Sequence, residues 1–596
     1  MTQTVLIANR GEIACRLVQA CHELGLEAAA VYVPQDRLAR HVQLADRAFE
    51  VGSYLDVGEI VEAGRRAHAV LIHPGYGFLA ENAGLADACR EAGVLFAGPS
   101  SEAMRLMADK VRAKDLAASL GVPLVPGTTA EDASAVGFPL LIKAAAGGGG
   151  KGMRTVLDEA ELAEALASAK REAEAAFGDG RVFLERLVAH GRHVEVQIFG
   201  DNQGHIVHMS ERDCSVQRRF QKILEESPAP GLSAAMRRDL HQAAVRLAAA
   251  AKYAGPGTVE FLVDGERFYF LEMNTRLQVE HPVTELVTGL DLAKLQIKVA
   301  LGQDVPVQQA IDAARRGHAI EARVYAEDPA SGFLPAMGRI LRLELPQGPG
   351  IRNDTGIQLG DEIGVSFDPL LAKLIVWGQD RGEALARLRD ALDRYCVLGL
   401  TTNLELLRRL AWHADFEAAA VHTNFIPDHP ELTRPLTTEE LSDLGEAAEA
   451  WRAMRSSPDP FRHGWRRPED AHLAPDGGLM FHGRRYYLAE ANGSTEVWNR
   501  GRRTVIRRQA EPSLDTVDAA GSHDGAEALS APMNGMVVKV LVREGDRVEA
   551  HQTLMIIEAM KMEHRIQAPI AGQVTHVYFQ PGTLAPAGAT LIEVSV

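Results

Sequence analysis

The sequence predicts a multidomain protein that combines α/β and α+β domains. Its 596 residues exceed the size of one domain, and three or four domains are expected. Roughly the first 110 residues alternate short apolar strands with helical periodicity, which is typical of a parallel α/β sheet. Roughly the last 70 residues contain an internal repeat of short strands, which predicts a small β-barrel or flattened sandwich.

The composition disfavours several classes of function. A formal net charge of −17 argues against nucleic-acid binding, because neutralising phosphates requires clustered Lys and Arg. No apolar run is long enough to cross a bilayer, so no membrane association is expected. Met1 leads almost directly into an apolar strand without a leader-like segment, which predicts a cytoplasmic protein. The five cysteines lack metal spacing and are predicted to be free, buried thiols.

The N-terminal region is predicted to form a parallel sheet with right-handed crossovers. Its strands are Val5–Ala8, Ala28–Val33, Ala69–Ile72 and Val94–Ala97. Glycine-containing turns follow two of them, at Asn9–Glu12 and His73–Phe78. Ligands favour the carboxyl ends of such strands, but ordinary turn chemistry explains these glycines equally well.

A glycine run follows the strand that ends at Lys143. It consists of Gly147, Gly148, Gly149 and Gly150, and Lys151 comes next. Four glycines carry a large cost in backbone entropy, so a functional reason is expected. Their unobstructed N–H groups can approach phosphate oxygens, and the flanking lysines supply positive charge. The run lacks the ending of a P-loop, so we predict a lid over a nucleotide, with a plain flexible linker as the alternative.

Two carboxylates are predicted to lie side by side on a hairpin. The strands that carry Glu260 and Glu272 are separated by Asp264-Gly265, which is a hairpin signal. Close carboxylates repel each other unless a cation lies between them, and with Asn274 they suit Mg²⁺ or Mn²⁺. A pair of surface glutamates is the alternative. Beyond them, Arg276, Gln278 and Glu280 occupy alternating positions and suit a small anion beside a base.

The C-terminal repeat places Ala559-Met560-Lys561-Met562 at the junction of its two copies. Three matched pairs of the repeat are Val537 with Val574, Gly545 with Gly582, and Leu554 with Leu591. A lysine at such a junction would stand at a rigid, exposed tip, and flanking methionines there suggest recognition rather than a plain surface lysine. The segment resembles biotin carboxyl carrier domains, which implies biotin on Lys561. Lipoylation is the minor alternative, since lipoyl domains share the fold.

Roughly the first 445 residues resemble a biotin carboxylase of the ATP-grasp superfamily. The resemblance lies in the glycine run and in four further motifs: Ile7–Ala14, His73–Leu79, Glu272–Pro282 and Glu321–Pro329. Together with the carrier, the chain resembles the alpha subunit of biotin-dependent acyl-CoA carboxylases. The implied domains are a carboxylase N-terminal (pre-ATP-grasp) domain at 1–112, an ATP-grasp domain at 113–315 with its lid at about 127–190, a carboxylase C-terminal domain at 316–445, a shortened β-rich spacer at 446–511, a flexible linker at 512–528 and a biotinyl carrier domain at 529–596.

The resemblance also implies a role for each matching residue. The implied catalytic set is Glu280 as general base, Arg323 beside the biotin enolate, and Lys222 and Arg276 at bicarbonate. The implied nucleotide- and bicarbonate-binding set is Lys110, Lys143, Gly148, Gly149, Gly150, Glu185, Leu187, His193, Gln278 and Val279. Glu260, Glu272 and Asn274 would hold the metal. Phe220 departs from the family, where a polar residue is common, so a nucleotide contact from that side chain is in doubt.

The implied reaction is carboxylation of biotin by ATP and bicarbonate through carboxyphosphate. Because charge spreads over the phosphoryl oxygens, cations and a metal would supply most of the stabilisation. The implied partners are a separate carboxyltransferase beta subunit, which would carboxylate acetyl-, propionyl- or 3-methylcrotonyl-CoA in a hetero-oligomer, and a biotin protein ligase. The alternatives are the carboxylase subunit of a two-subunit pyruvate carboxylase, an inactive carrier and scaffold, or an ATP-grasp ligase for another acid. The spacer would either contact the partner subunit or act only as a compact spacer.

Overall fold

The computed structural model describes residues 2–128, 133, 136–145, 153–218, 221–455, 471–474, 476–491, 494–507, 526–531, 535–559, 562–586 and 589–595. Several predicted positions lie outside the described residues: Gly148, Gly149 and Gly150 of the glycine run, Phe220 and the acceptor Lys561. All five cysteines are described, and they are buried and free, as predicted. Among the described residues, no helix is both long and apolar enough to cross a bilayer.

The N-terminal region forms a five-stranded parallel sheet with the order β3-β2-β1-β4-β5. Its elements are β1 (Thr4–Ile7), α1 (Gly11–Glu23), β2 (Glu27–Tyr32), α2 (Arg40–Leu44), β3 (Arg47–Glu50), α3 (Val57–Ala67), β4 (Ala69–His73), α4 (Ala83–Ala92) and β5 (Leu95–Phe96). The four predicted strands are present within a residue or two of their predicted bounds. The sequence analysis missed β3, because only two residues separate it from the helix before it and its side chains are half exposed.

A small four-stranded sheet with the order β6-β9-β7-β8 follows, with one helix packed against it. The elements from the end of the first sheet to this point are α5 (Ser101–Ala108), α6 (Lys110–Ser119), β6 (Gly127–Thr128), β7 (Leu140–Ala144), β8 (Arg154–Val156), α7 (Glu159–Phe177) and β9 (Val182–Arg186). Asp109 caps α6 by accepting the N–H groups of Val111 and Arg112, which fixes Lys110 in the first turn. The predicted boundary at 112/113 therefore falls inside a helix.

The central feature is an eight-stranded antiparallel sheet with the order β14-β13-β10-β11-β12-β15-β22-β20. The elements of this region are β10 (Arg192–Gly200), β11 (Ile206–Arg218), β12 (Gln221–Ser227), α8 (Ala234–Ala250), β13 (Gly255–Asp264), β14 (Arg267–Asn274), α9 (His281–Thr288), α10 (Leu292–Ala300), α11 (Gln308–Ala314), β15 (His318–Tyr325), β16 (Glu327–Asp328), β17 (Leu334–Pro335), β18 (Gly338–Arg339), β19 (Arg342–Glu344), β20 (Ile351–Thr355), β21 (Glu362–Ile363), β22 (Leu370–Gly378), α12 (Arg381–Leu392), β23 (Cys396–Leu398), α13 (Leu404–Trp412), α14 (Ala414–Glu417) and α15 (Phe425–Asp428). Because β12 pairs with β15, the sheet runs without a break across the predicted boundary at 315/316.

The spacer region is a five-stranded antiparallel sheet packed on a helix. Its elements are α16 (Thr438–Arg455), β24 (His472–Leu473), β25 (Leu479–Phe481), β26 (Arg484–Ala491), β27 (Ser494–Asn499) and β28 (Arg502–Arg507). Leu444 and Trp451 of α16 pack with Leu479 and Tyr486 of the sheet. The predicted boundary at 445/446 is therefore wrong, because it cuts a helix whose apolar face belongs to this core.

The C-terminal region consists of two four-stranded sheets with the orders β29-β36-β34-β31 and β33-β32-β30-β35. The strands are β29 (Ala526–Ser530), β30 (Gly535–Val540), β31 (Arg547–Val548), β32 (Thr553–Ala559), β33 (Met562–Gln567), β34 (Gly572–Val577), β35 (Leu584–Ala585) and β36 (Thr590–Ser595). The repeat maps one sheet onto the other, and Gly545 and Gly582 both adopt positive φ, at 94° and 85°. The predicted linker at 512–528 is too long at its end, because Ala526 already pairs with Ser595.

Candidate active site

A row of charged residues crosses four strands of the central sheet. Strand register pairs Glu272 with Glu260, Glu260 with Glu195, and Glu195 with Arg212. Directly paired residues on antiparallel strands point to the same face. The predicted pairing of Glu260 and Glu272 across a hairpin is thus present, with Gly265 at a φ of 58° in the turn. The register extends the predicted pair into three carboxylates and a guanidinium.

Lys222 lies at the centre of this face. Its Nζ is 2.6 Å from Glu195 Oε2, 2.6 Å from Glu280 Oε1 and 3.1 Å from Glu260 Oε1. Burial opposes the charge of Lys222, but Glu195, Glu260 and Glu280 outweigh it and hold its pKa well above the usual value. Lys222 is therefore an ammonium that joins three carboxylates from three different segments.

The Glu280 carboxylate stands between two cations. Its second oxygen, Oε2, accepts a hydrogen bond from Arg323 Nη2 at 2.8 Å, and its side chain is fully buried. Glu280 occupies the position before α9 but does not cap it, since Pro282 follows at the helix start and no side-chain cap bond forms. The Glu280 carboxylate is therefore not used to cap the helix and is available to pair with Lys222 and Arg323. Arg323 also pairs with Glu225, and the pKa of its guanidinium is raised because these carboxylates outweigh burial.

The predicted metal ligands converge with lysine and amide donors. Lys110 Nζ lies 3.0 Å from Glu272 Oε2, and Asn274 Nδ2 donates to Glu260 Oε1 at 2.9 Å. The Asn274 amide oxygen accepts from Arg276 Nη2 at 3.2 Å. Carboxylate and amide oxygens are ligands that Mg²⁺ and Mn²⁺ prefer, and the donors around them show that this corner attracts positive charge. The residues present therefore fit a divalent cation.

His193 adds a further cation to the same corner. Its Nε2 lies 3.3 Å from Glu260 Oε2 and 3.6 Å from Glu195 Oε2. Burial lowers its pKa, but Glu260 and Glu195 raise it more strongly, to about 9. The protein thus holds His193 protonated next to the carboxylate row at neutral pH.

Two of the predicted nucleotide-binding residues, Lys143 and Glu185, lie next to each other on β7 and β9 of the small sheet. Lys143 Nζ lies 2.6 Å from Glu185 Oε2, and Lys114 pairs with the other oxygen of the same carboxylate. Burial opposes ionisation of Glu185, but the two lysines lower its pKa. Leu187 follows β9, and its N–H donates to the Pro139 carbonyl. Sequence reasoning missed Lys114, which lies one helical turn after Lys110 on α6.

The predicted bicarbonate-binding residues lie together after β14. Arg276 donates to Gln278 Oε1 through Nη1 at 3.0 Å, and its Nε lies 3.0 Å from Glu81 Oε2. Glu81 comes from the N-terminal region and also accepts the Thr275 N–H at 3.0 Å. The Val279 carbonyl accepts a hydrogen bond from Lys373 Nζ at 2.9 Å.

Besides Lys114, sequence reasoning missed five residues of this site: Glu81, Glu195, Arg212, Glu225 and Lys373. The alternation of polar and apolar residues along Arg192–Ile198 is a usable signal for Glu195, because it is typical of a strand with one polar face. The other four depend on contacts between segments distant in the chain, so no local pattern could identify them. Within the predicted set, the described residues Lys110, Lys222, Glu260, Glu272, Glu280 and Arg323 form one connected network.

Comparison with known protein families covers most of the chain. Family models match residues 1–104 (Biotin carboxylase, N-terminal domain), 109–308 (Carbamoyl-phosphate synthase L chain, ATP binding domain), 321–428 (Biotin carboxylase C-terminal domain) and 527–594 (Biotin-requiring enzyme). The last of these matches begins at residue 527, one residue after β29 begins at Ala526.

Curated relatives align along nearly the whole chain. The mitochondrial methylcrotonoyl-CoA carboxylase subunit alpha of Mus musculus is 40% identical and covers 99% of this chain and 92% of its own length. The biotin-dependent acyl-coenzyme A carboxylase alpha3 subunit of Mycobacterium leprae is 42% identical, with 99% and 98% covered. The mitochondrial propionyl-CoA carboxylase alpha chain of Homo sapiens is 38% identical, with 99% and 91% covered.

Solved structures match the larger, N-terminal part of the fold. The biotin carboxylase domain of Hydrogenobacter thermophilus 2-oxoglutarate carboxylase, in complex with MgADP, ADP and bicarbonate, is 41% identical with a TM-score of 0.71, covering 73% of this chain and 100% of that one. A Campylobacter jejuni biotin carboxylase in complex with an ATP analogue is 41% identical with a TM-score of 0.70, covering 72% and 99%. These matches agree with the network around Glu280, and the chain belongs to the family of alpha subunits of biotin-dependent acyl-CoA carboxylases, which carboxylate biotin with ATP and bicarbonate.

Proposed function

We propose that the network around Glu280 carboxylates a biotin carried on Lys561 of the same chain. The observation that carries this proposal is the position of the Glu280 carboxylate, buried between Lys222 at 2.6 Å and Arg323 at 2.8 Å. A carboxylate held between two fixed cations can take a proton from a small acid bound beside it, while the cations hold the resulting anion.

Glu280 is proposed as the general base that removes the proton of bicarbonate. Arg276 and Gln278 lie four and two residues before Glu280, and the Arg276 guanidinium donates a hydrogen bond to the Gln278 amide oxygen. Lys222 lies next to the Glu280 carboxylate and would help to hold the bicarbonate oxygens. Deprotonated bicarbonate can then attack the γ-phosphoryl group of ATP, and the charge that develops is met by groups already in place.

Glu260, Glu272 and Asn274 are proposed to hold Mg²⁺ or Mn²⁺. When bound there, a divalent cation would neutralise phosphate charge and orient the phosphoryl group for attack. Lys110 and Lys143 would contact the ATP phosphates. Each lysine pairs with a carboxylate, Glu272 and Glu185 respectively, which would keep it close to the proposed phosphate site. Glu185 and Leu187 would line the adenine site, and His193 would lie beside the nucleotide. The proposed closing segment, with Gly148, Gly149 and Gly150, lies outside the described residues.

Arg323 is proposed to stabilise negative charge on the carboxyl acceptor. The ureido nitrogen of biotin would give its proton to the phosphate released from carboxyphosphate and then bond to the CO2 released with it. The Arg323 guanidinium is buried and anchored by Glu225, which leaves it fixed beside Glu280. A fixed cation stabilises developing charge without having to reorganise during the reaction. The described strands on either side of Lys561 pair up to Ala559 with Met562, so both strands end next to the acceptor lysine.

The final acceptor is proposed to be an acyl-CoA, carboxylated by a separate carboxyltransferase beta subunit in a hetero-oligomer. This proposal is supported by the names of the relatives, which act on methylcrotonoyl-CoA and propionyl-CoA. A biotin protein ligase is the proposed modifying enzyme. We propose a cytoplasmic location, although the mouse and human relatives are mitochondrial.

The first test is the intact mass of the full chain co-expressed with a biotin protein ligase. We expect one added biotinyl group on the wild type and none on Lys561→Arg, because arginine keeps the charge but lacks the amine that forms the amide. A lipoyl mass, or a biotinyl group that survives in Lys561→Arg, would show that the attachment proposal is wrong.

The second test is ATP hydrolysis by the full chain with and without bicarbonate. We expect turnover to require bicarbonate in the wild type and in Lys561→Arg alike, since Lys561 is proposed to carry biotin and has no proposed role in activating bicarbonate. Turnover that is indifferent to bicarbonate would favour a ligase for another acid, and absence of turnover would favour an inactive scaffold.

A further inference from the structure

Lys373 joins three segments that are far apart in the sequence. It lies on β22 and is fully buried, which is rare for a lysine. Its Nζ is 2.9 Å from the Val279 carbonyl, 3.0 Å from Glu12 Oε1 and 3.7 Å from Asp354 Oδ2. The N-terminal region, the segment after β14 and the far edge of the central sheet therefore meet at one ammonium group.

Lys373 is charged in this position. Burial opposes the charge, but Glu12, Glu321 and Asp354 together raise the pKa of Lys373 above its usual value. A hydrogen bond from an ammonium to a carbonyl is charge-assisted and stronger than a neutral one. The Val279 carbonyl is thus held more firmly than an ordinary backbone group at the end of a loop.

The anchored carbonyl belongs to the residue directly before Glu280. Lys373 also pairs across the sheet with Arg323, the residue that binds the Glu280 carboxylate. The backbone anchor and the side-chain partner of Glu280 therefore come from paired positions on two adjacent strands. A rigid sheet fixes the distance between them, so the orientation of Glu280 is set at both ends.

Glu12, the carboxylate partner of Lys373 from the N-terminal region, is also held in place. Glu12 lies in the first turn of α1, directly after Gly11, whose φ is 69°. A Cβ added at Gly356 would come within 2.5 Å of the Glu12 backbone nitrogen and 2.6 Å of the Gly11 carbonyl carbon. The backbones of the N-terminal region and of the segment after β20 are thus in close contact here, which prevents Glu12 from shifting away from Lys373.

We propose that Lys373 is a positioning residue: its ammonium holds the Val279 carbonyl and thereby sets the place of Glu280 and Gln278 relative to bicarbonate. This inference rests on the proposed function, in which Glu280 and Gln278 act on bicarbonate. Lys373 touches neither the proposed metal ligands nor Lys110 and Lys143, so its role is specific to bicarbonate and does not extend to ATP.

The test compares Lys373→Met with Glu12→Gln in the full chain. We expect Lys373→Met to raise the KM for bicarbonate and lower kcat of bicarbonate-dependent ATP hydrolysis, about tenfold or more in kcat/KM, since small displacements of a reacting group have large effects on rate. The KM for ATP should stay within about twofold. Glu12→Gln removes a buried charge but keeps the Lys373 contact with Val279, so its kcat/KM for bicarbonate should change less than threefold. The surface variant Lys294→Met is the matched lysine control and should equal the wild type.

Amide hydrogen exchange provides a readout that does not require turnover. We expect faster exchange in the peptide around 276–282 for Lys373→Met and not for Glu12→Gln or Lys294→Met. Should Lys373→Met fail to fold, Lys373→Gln keeps an N–H donor without the charge, and slower bicarbonate use with an unchanged KM for ATP would still be expected. Wild-type kinetics in a folded Lys373 variant, or equal losses in Lys373→Met and Glu12→Gln, would overturn the inference. Wild-type turnover without bicarbonate dependence would instead overturn the proposed function.

Discussion

The central sheet and the C-terminal sheets are both antiparallel, yet they bury opposite kinds of side chain. The core of the C-terminal region contains the repeat pairs Val537 with Val574 and Leu554 with Leu591, all of them buried. The central sheet and the segment after β14 instead bury a set of charged residues, Glu195, Arg212, Glu280, Arg323 and Lys373, around a Lys222 side chain that is 11% exposed. The same backbone architecture therefore supports two different uses of a buried face.

The two buried faces should contribute differently to the free energy of unfolding. Burying apolar area contributes roughly 25 cal/mol per Å², whereas a buried ion pair often contributes little because desolvation offsets the attraction. The charged face of the central sheet must therefore be supported by the apolar clusters around it, such as the one that contains Val194, Phe261 and Leu240. We infer that these buried charges serve to bind a ligand rather than to stabilise the fold.

Removing one charge from the central face should have the largest effect on stability. Glu195 neutralises Lys222 and Arg212, so Glu195→Gln leaves two buried cations with one carboxylate fewer. We expect a loss of about 3–5 kcal/mol in the free energy of unfolding. Calorimetry of the full chain measures it, and the exposed Glu164→Gln is the control. An unchanged melting temperature would contradict the idea that this face is held by charge balance.

Removing apolar volume from the C-terminal core should have a slightly smaller and separate effect. Leu591 is fully buried, and Leu591→Ala should cost about 3 kcal/mol through lost burial and the cavity left behind. We expect only this region to unfold earlier, with ATP hydrolysis by the rest of the chain unchanged. Protease cleavage of the C-terminal region during urea unfolding measures the loss. A parallel loss of ATP hydrolysis would show that the two regions are not independent.

Removing the cation beside Glu280 should affect chemistry more than stability. We expect Arg323→Ala to lower carboxylation of biotin by about 100-fold, or about 2.7 kcal/mol, as loss of a comparable oxyanion donor does. Assays with free biotin measure this directly, and Arg339→Ala on an exposed strand serves as the control. Carboxylation at the wild-type rate would remove Arg323 from the proposed mechanism.

Acidification should have the smallest effect on stability. It should destabilise the N-terminal sheet region, which contains His41, and not the C-terminal sheets. Burial lowers the pKa of His41 in the N-terminal sheet region to about 4, whereas His551 and His576 of the C-terminal sheets are exposed. The unfolded chain takes up this proton near pH 6.5, so the stability from neutral His41 is present above pH 6.5 and is lost as pH falls towards 4. The loss at pH 5.5 is about 1.4 kcal/mol. Urea unfolding at pH 7.5 and 5.5 measures it: the stability lost between these pH values should be about 1.4 kcal/mol larger in the wild type than in His41→Gln, in which other buried histidines such as His73 still contribute.

Local patterns were enough to predict the parts of the fold that depend on neighbours in sequence. The repeat around Val537 and Val574 predicted the C-terminal sheets, and the Asp264-Gly265 turn predicted the pairing of Glu260 with Glu272. The general architecture of the N-terminal sheet followed from its alternating strands and helices. In these cases the interaction that decides the structure lies within a few dozen residues.

Long-range contacts explain what the sequence did not reveal. The contact of Lys373 with Glu12 and that of Arg276 with Glu81 join separate regions, and neither side chain carries a local signal of its partner. Domain boundaries failed for a related reason. Trp451 packs on a sheet that begins after it in sequence, so α16 belongs to that sheet, although helical periodicity alone could not show it.

The pairing of Ala526 with Ser595 fixes where the chain enters the C-terminal sheets. The repeat relates this pair to Glu558 with Glu563, next to Lys561, so the chain enters the C-terminal sheets at the counterpart of the acceptor hairpin. β33 leads away from that hairpin over six residues, or about 20 Å, and Gly572 beyond it lies against Ser595. The residues between Arg507 and Ala526 span at most about 65 Å. A biotin attached at that hairpin, as proposed, would therefore reach about 20 Å farther than the residues between Arg507 and Ala526 alone allow.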